Sequence, residues 1–157
     1  MGASAQRSDD KTVATNRKAR HDFAILETVE CGIQLTGSEV KSLRLGQASL
    51  VDCYARLRHG EMWLEGMHIP PYEQGDKRTH EPMRPRKLLL HRRQIDALQR
   101  DSVEKGLALV PLRVYFSHGM AKVDLALARG KRQHEKRQSI AKRDAQREVE
   151  RELGRRR

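Results

Sequence analysis

Aromatic rings are scarce in this chain. One Trp, three Tyr and two Phe make up 4% of 157 residues. Proteins that read single strands stack bases on exposed rings worth ~1–3 kcal/mol each, and too few rings are present here for that mode. Cysteine is equally thin. Cys31 and Cys53 are far apart, with no CxxC and no Cys/His set at zinc spacing, so a zinc framework is excluded and no metal is expected. They read as buried reduced thiols, ahead of a disulfide or a ligand pair. No apolar run approaches the ~20 residues needed to span a bilayer. The first residues lack the apolar core of an export signal, and Gln6 stands where myristoylation wants Ser or Thr. A cytoplasmic protein with no membrane partner is expected. Catalytic signatures are missing too: no P-loop, GxGxxG, HExxH or GxSxG motif occurs, and His80-Glu81 is followed by Pro82. No enzyme activity and no cofactor are expected.

Positive charge is what the chain has in excess. Lys and Arg number 32 against 21 Asp and Glu, a formal net charge of +11. Residues 129–157 hold 12 of the cations and 5 of the anions, so most of the excess sits in the last fifth of the chain. Such proteins usually neutralise phosphates, because each Lys or Arg that replaces a condensed counterion releases it to solvent. A membrane tether needs a broad apolar stripe. This segment offers only Ile140, Val149 and Leu153, with Ala141 and Ala145 between them. Nucleic acid is the favoured partner. With few rings for stacking, phosphate and sugar contacts must carry the affinity, which suits a folded RNA read by shape.

Periodicity gives the domain plan. Residues 1–15 are small, polar and patternless, and read as a flexible lead-in. Phe23, Ile25, Val29, Ile33 and Leu35 suggest a long strand with a break near Gly32. Thr36-Gly37-Ser38-Glu39 fits a capping box, opening a two-turn helix that ends at Gly46 and shows a basic face with Lys41 and Arg44. Val51, Cys53, Ala55 and Leu57 alternate with polar residues, and His59-Gly60 turns the chain toward Met62 and Leu64 as a hairpin. Residues 70–85 look irregular and too polar to be buried. Leu88–Leu90 reads as a buried strand. A helix is expected from His91 to Lys105, with Ile95, Leu98 and Val103 on one side and Gly106 as its stop. Two further strands flank the turn Ser117-His118-Gly119-Met120. The spacing predicts a mainly β fold, an antiparallel barrel or strongly curved sheet over 16–130 with about six strands and two to three helices. A basic tail over 131–157 is expected to be disordered when free and helical on a polyanion.

Two basic clusters flank the predicted barrel: Asn16-Arg17-Lys18-Ala19-Arg20-His21-Asp22, and Arg129-Gly130-Lys131-Arg132-Gln133-His134-Glu135-Lys136-Arg137. Together with ATNRKARHDF (14–23), GIQLTGSEVKSLRLGQASLVDCYA (32–55), MHIPPYEQG (67–75), RPRKLLLHRRQI (84–95) and ARGKRQHEKR (128–137), they carry a close resemblance. In register from about residue 12 to 145, the chain resembles the SsrA-binding protein family, also called small protein B, the tmRNA-binding partner in bacterial ribosome rescue.

The resemblance implies a monomeric, non-enzymatic protein whose body, an OB-like antiparallel β-barrel, binds the tRNA-like domain of tmRNA. Its tail enters the empty mRNA channel of a stalled 70S ribosome near the decoding centre. Elongation factor Tu and alanyl-tRNA synthetase are implied indirectly, through tmRNA. By position, the implied tmRNA-binding residues are Asn16, Arg17, Lys18, Arg20 and His21, with Glu30 and Gly32 nearby and Lys41, Arg44, Arg86 and Lys87 as further candidates. A carboxylate at Glu30 repels RNA unless it orients an Arg or accepts from a base or a 2′-OH. The implied ribosome-facing residues are Lys131, Arg132, His134, Lys136, Arg137, Lys142 and Arg143. Glu135 replaces the usual Asp of the tail pattern, and Phe23 replaces the common Tyr. A generic basic ribosomal or RNA-chaperone protein is the alternative on composition alone, and a small nuclease or RNA-modifying enzyme stands third.

Overall fold

The computed structural model describes residues 11–72, 80–131 and 133–155, with backbone alone at 133–136, 138–139 and 155. In chain order the elements are β1 (Lys11–Thr15), α1 (Arg17–Asp22), β2 (Phe23–Ile33), α2 (Gly37–Arg44), β3 (Tyr54–Arg58), β4 (Glu61–Glu65), β5 (Arg86–Leu89), α3 (Arg92–Lys105), β6 (Ala108–Ser117), β7 (Met120–Gly130) and α4 (Gln133–Arg155).

The strands form one antiparallel sheet in the order β1-β6-β7-β2-β5-β4-β3. It is mainly β, as the periodicity predicts, and of the two forms expected it is the curved open sheet rather than the closed barrel. β3 packs against β6 without pairing to it. The reason lies in a segment expected to be unstructured. Lys11–Thr15 pairs with Arg113–Phe116 of β6, and the Asn16 N–H continues that edge to the Leu112 carbonyl at 2.7 Å. The β6 edge that would close the barrel is therefore occupied. Among the described residues this raises the expected six strands to seven. The helices among the described residues number four rather than two or three, because α1 and the tail helix join α2 and α3.

Both hairpins turn where the sequence suggests. His59 and Gly60 adopt φ of 52° and 77°, and His118 and Gly119 adopt 50° and 76°, the left-handed pair that matches strand twist in two-residue turns. The main core lies within the curl of the sheet and includes Cys31, Leu43, Met62, Leu64, Leu88, Leu98, Val114, Val123 and Leu125. A second cluster of Ala19, Val110, Leu112, Ala126 and Ala128 lies apart from it, with Phe23 and Ile25 packed on. β7 is thus buried continuously from Val123 to Ala128, and alternate residues serve alternate clusters. Val103, expected on the apolar side of α3, is 75% exposed, and Val51 also faces solvent. The tail helix α4 spans 23 residues. It has no Pro, and its one Gly, Gly154, lies in the last turn, so no residue interrupts the helix.

α2 opens with the predicted capping box. The Glu39 N–H donates to Thr36 Oγ1 at 3.4 Å, and the Thr36 N–H donates to Glu39 Oε1 at 2.9 Å. Glu39 is nevertheless fully buried, and the group that satisfies it is Arg86, also fully buried. Arg86 Nε donates to Glu39 Oε2, Nη1 to the Met67 carbonyl at 2.7 Å and Nη2 to the Pro82 carbonyl at 3.1 Å. Arg84 adds a bond to Glu39 Oε1. His80 is buried too, bonded to Ser38 Oγ and to the Ile69 carbonyl, each at 2.8 Å. Two expectations are thereby corrected. Arg86 is no RNA ligand, since no polyanion can reach it, and the 70–85 segment is not wholly at the surface.

Burial alone would raise the Glu39 pKa, but bonds from the Thr36 N–H, Arg84 and Arg86 outweigh it and hold the carboxyl below its ordinary range. The depressed folded value means that this stabilisation is complete above the ordinary carboxylate pKa and is lost as pH falls through the folded one. Removing one partner strands the other charge. Arg86→Ala should lower the unfolding free energy at neutral pH by about 3–5 kcal/mol, read from urea unfolding. Glu39→Gln should flatten the acid limb of stability against pH; an acid limb identical to that of the unmodified chain would remove the pair as its source.

Candidate nucleic-acid interface

The basic segment before β2 is held by a bulge in another strand. Pro111 has no N–H to give to a ladder, and the β6–β7 register shifts between Pro111 and Arg113. The carbonyls of Pro111 and Leu112 are taken by Asn16, whose side-chain amide donates to Pro111 at 2.9 Å and whose backbone N–H donates to Leu112. Asn16 Oδ1 then accepts the Ala19 N–H at 3.1 Å and caps α1. Ala19, on the buried face, belongs to the second cluster. Asn16 is itself only 5% exposed. It is a positioning residue, and its expected contact with RNA is not available.

What α1 turns outward is cationic. Arg17, Lys18 and Arg20 are exposed and His21 is partly so. Lys18 is spoken for: its Nζ lies 2.8 Å from Asp52, whose hydrogen bond and charge raise the lysine pKa. His21 Nδ1 lies 2.8 Å from Asp22. At the far end of α1, Lys131 ties the start of the tail to the body. Its N–H donates to the Asp22 carbonyl at 2.9 Å, and its Nζ donates to the Arg20 carbonyl at 3.3 Å. α4 therefore leaves β7 beside α1. Arg17, Arg20 and His21 of one helix and Lys142, Arg143 and Gln146 of the other line a cleft of about 340 Å³. The structure thus joins two sets that the sequence assigns to different partners.

A second cleft, of about 370 Å³, lies across β2, the β5–α3 junction and β7, lined by Glu30, Gly32, Leu89, Leu90, His91, Gln94 and Lys122. Glu30 faces Asp124 across the β2–β7 ladder, a like-charge pairing that needs relief. The Tyr115 hydroxyl lies between them, within bonding distance of Glu30 and 3.1 Å from Asp124. Burial, reinforced by Glu30, pushes the phenol pKa up. Arg113 Nε donates to Asp124 at 2.7 Å while its guanidinium lies 3.9 Å from the Tyr115 ring centroid. Glu30 itself contacts no arginine among the described bonds; it is connected to Arg113 indirectly, through Tyr115 and Asp124. Gly32 allows a close approach: a Cβ there would lie 3.1 Å from Leu89 Cβ. Leu89 stands 50% exposed at the rim, a leucine turned outward where the sequence predicts burial.

The other expected cations are scattered. Lys41 and Arg44 are exposed on α2 and lie 5.5 and 5.4 Å from the Tyr72 and Phe116 ring centroids. Lys87 pairs with Glu61 at 3.0 Å. Arg132 and the side chains of His134 and Lys136 lie outside the described residues; Arg137 is exposed on α4. Sequence reading missed Tyr115, Arg113, Asp124, Leu89, His91, Gln94, Lys122 and Gln146. Of these, only the polar positions Arg113, Lys122 and Asp124 within apolar strands gave a signal. Cys31 and Cys53 are free and buried in the main core, and burial pushes both thiols up to about 12. At neutral pH they stay protonated.

Comparison with known proteins bears on this interface. The SmpB protein family model matches residues 13–155. The chain belongs to the SmpB family. Among its relatives, the SsrA-binding protein of Mycobacterium leprae is 61% identical over 150 residues, covering 96% of this chain and 94% of the relative. That of Desulforudis audaxviator is 59% identical over 145 residues, covering 92% and 95%. A chain of the solved structure "tmRNA-SmpB: a journey to the center of the bacterial ribosome" superposes with a TM-score of 0.65 at 47% identity, covering 81% of this chain and 93% of that one. The SmpB match begins inside β1 and runs to the end of α4, so it includes both helices of the cationic cleft.

Asn16→Ala should cost about 1–2 kcal/mol in unfolding free energy through the lost cap, and should weaken RNA binding although it removes no charge. Arg20→Ala should weaken RNA binding while staying within about 0.5 kcal/mol in stability. An unchanged unfolding midpoint for Asn16→Ala would show that α1 does not depend on it.

Proposed function

We propose that this chain binds the tRNA-like domain of tmRNA and brings it to stalled ribosomes for trans-translation, acting in the cytoplasm as a monomeric binding protein rather than an enzyme. The observation that carries this reading is a pair of clefts, a cationic one between α1 and α4 and one across β2 organised around Glu30. They belong to a chain about 60% identical to proteins named for binding SsrA RNA. Phosphates suit Arg17, Arg20, Lys41 and Arg44. The Glu30 cleft, with Lys122, His91 and the outward Leu89, offers both polar and apolar contacts to an exposed base or ribose edge. Two protonated, buried thiols support a non-catalytic role. So does the absence, among the described residues, of a helix long and apolar enough to cross a membrane for a role away from one.

Within this reading the body and the tail divide the work. The body grips tmRNA, and α4, about 35 Å long at 1.5 Å per residue, carries Arg137, Lys142 and Arg143 toward the decoding centre and the mRNA channel, with Arg132, His134 and Lys136 beside them in sequence. Elongation factor Tu and alanyl-tRNA synthetase enter through tmRNA and need no surface on this chain.

RNA recovered with the chain from a bacterial lysate at moderate salt should be enriched in tmRNA over bulk tRNA. Equal recovery of structured RNAs would favour a general chaperone instead. Deleting residues 131–157 should leave tmRNA affinity within about tenfold, the cost of losing two or so phosphate contacts, yet abolish tagging of nascent chains in a translation extract. Loss of tmRNA binding on truncation would overturn the division of labour. Glu30→Ala should weaken tmRNA binding even though it raises the net charge; tighter binding would refute the organising role of Glu30.

A further inference from the structure

The cleft between α1 and α4 has a charge problem that the folded chain does not solve. Arg17, Arg20, Lys142 and Arg143 converge on it with His21, and no carboxylate among the described residues lines it. Among the described residues none of these four permanent cations has an ion-pair partner, whereas the neighbouring Lys18 has Asp52. Ile140, Val149 and Leu153 of α4 are 41%, 59% and 61% exposed, so the tail helix gains no buried stripe from lying where it does. Its main contact with the body is α1. Two like-charged surfaces brought together without apolar burial repel, and the repulsion is relieved only by a counter-ion held between them.

We infer that the α1–α4 cleft is a phosphate clamp, in which a phosphodiester of the bound RNA bridges Arg17 and Arg20 on the body to Lys142 and Arg143 on the tail and so docks the tail helix. Guanidinium forks match phosphate oxygens in paired hydrogen bonds, Gln146 adds a neutral amide donor, and the volume falls near the lower end of the ~300–1,000 Å³ of small-ligand sites. The Lys131 bonds to α1 form a fixed pivot. About this pivot α4 swings: docked when a phosphate fills the cleft, released when the cleft is empty or when a competing polyanion takes Lys142 and Arg143. Loading of RNA on the body is thereby coupled to the direction in which the tail points. This rests on the reading above that the bound polyanion is a structured RNA.

The full chain is its own test system, since Cys31 and Cys53 are buried and unreactive enough for spin labels to be directed to Val103→Cys on α3 and Glu148→Cys on α4, both exposed positions. Double electron–electron resonance should give a broad distance distribution at low salt without RNA, and a narrow one on adding the tRNA-like domain of tmRNA. Inorganic phosphate should narrow it partly, and chloride at the same ionic strength should not. Lys142→Ala/Arg143→Ala should abolish the narrowing and make the slope of log K against log salt for tmRNA shallower by about 1 to 2. Both replaced residues are exposed on α4, so folding is not at stake. A distribution unmoved by RNA, moved equally by chloride, or still narrowed in the double variant would overturn the clamp. Binding is followed by anisotropy on the same samples. No tmRNA binding at all would sink the proposed function, whereas binding with an unmoved tail would sink the clamp alone.

Discussion

A six-residue helix cannot hold itself together in water, because the first turn fixes several dihedrals for a single hydrogen bond. α1 exists because Asn16 is clamped at three points: its amide on the Pro111 carbonyl, its backbone N–H on Leu112 and its Oδ1 on Ala19. The bulge that leaves those carbonyls to Asn16 is in β6, and the small Ala126 and Ala128 of β7 let Ala19 approach the sheet. Every cation that α1 presents takes its direction from that contact. So does the root of the tail, through the bonds of Lys131 to the helix's last carbonyls.

The protein uses its cations in two ways, and the presence of a facing carboxylate separates them. Arg86 and Arg84 are spent on Glu39, and through it on seating α2 against the Met67–Ile69 and His80–Pro82 segments. Arg113 is spent on Asp124, which settles the face-off of two carboxylates across β2 and β7. Buried pairs of this kind contribute little net stability against an apolar alternative but are costly to break. Their role is to fix geometry, while Arg17, Arg20, Lys142 and Arg143, which face no carboxylate among the described residues, remain available to phosphates.

Local features were legible without the structure. The capping box at Thr36, the turns at His59-Gly60 and His118-Gly119 and the stop at Gly106 each follow from a few adjacent residues, and each is found. The alternation of Val123, Leu125 and Leu127 marks one core face of β7 correctly. β1 was not legible: Lys11–Thr15 has no apolar period, and its strand character comes from the free edge of β6 a hundred residues away. Val103 has the right spacing for a buried position, yet α3 turns only Ile95 and Leu98 far enough inward. Of the candidate interface, the basic segment at 16–22 was legible as charge, but the second cleft was not, because Gly32, Leu89, Gln94 and Lys122 are brought together only by the order of β5, β2 and β7.

The chain by itself determined its excess of cations, their concentration at 16–22 and beyond 129, the scarcity of rings and the local turns and caps. Those follow from composition and from interactions within a few residues. Tertiary structure alone decided which cations are available to a ligand, that the sheet stays open and that the tail begins beside α1. The physical reason is that charge is neutralised, and polar groups are satisfied, by partners far off in sequence. Asn16 meets Pro111 across 95 positions, and Glu39 meets Arg86 across 47.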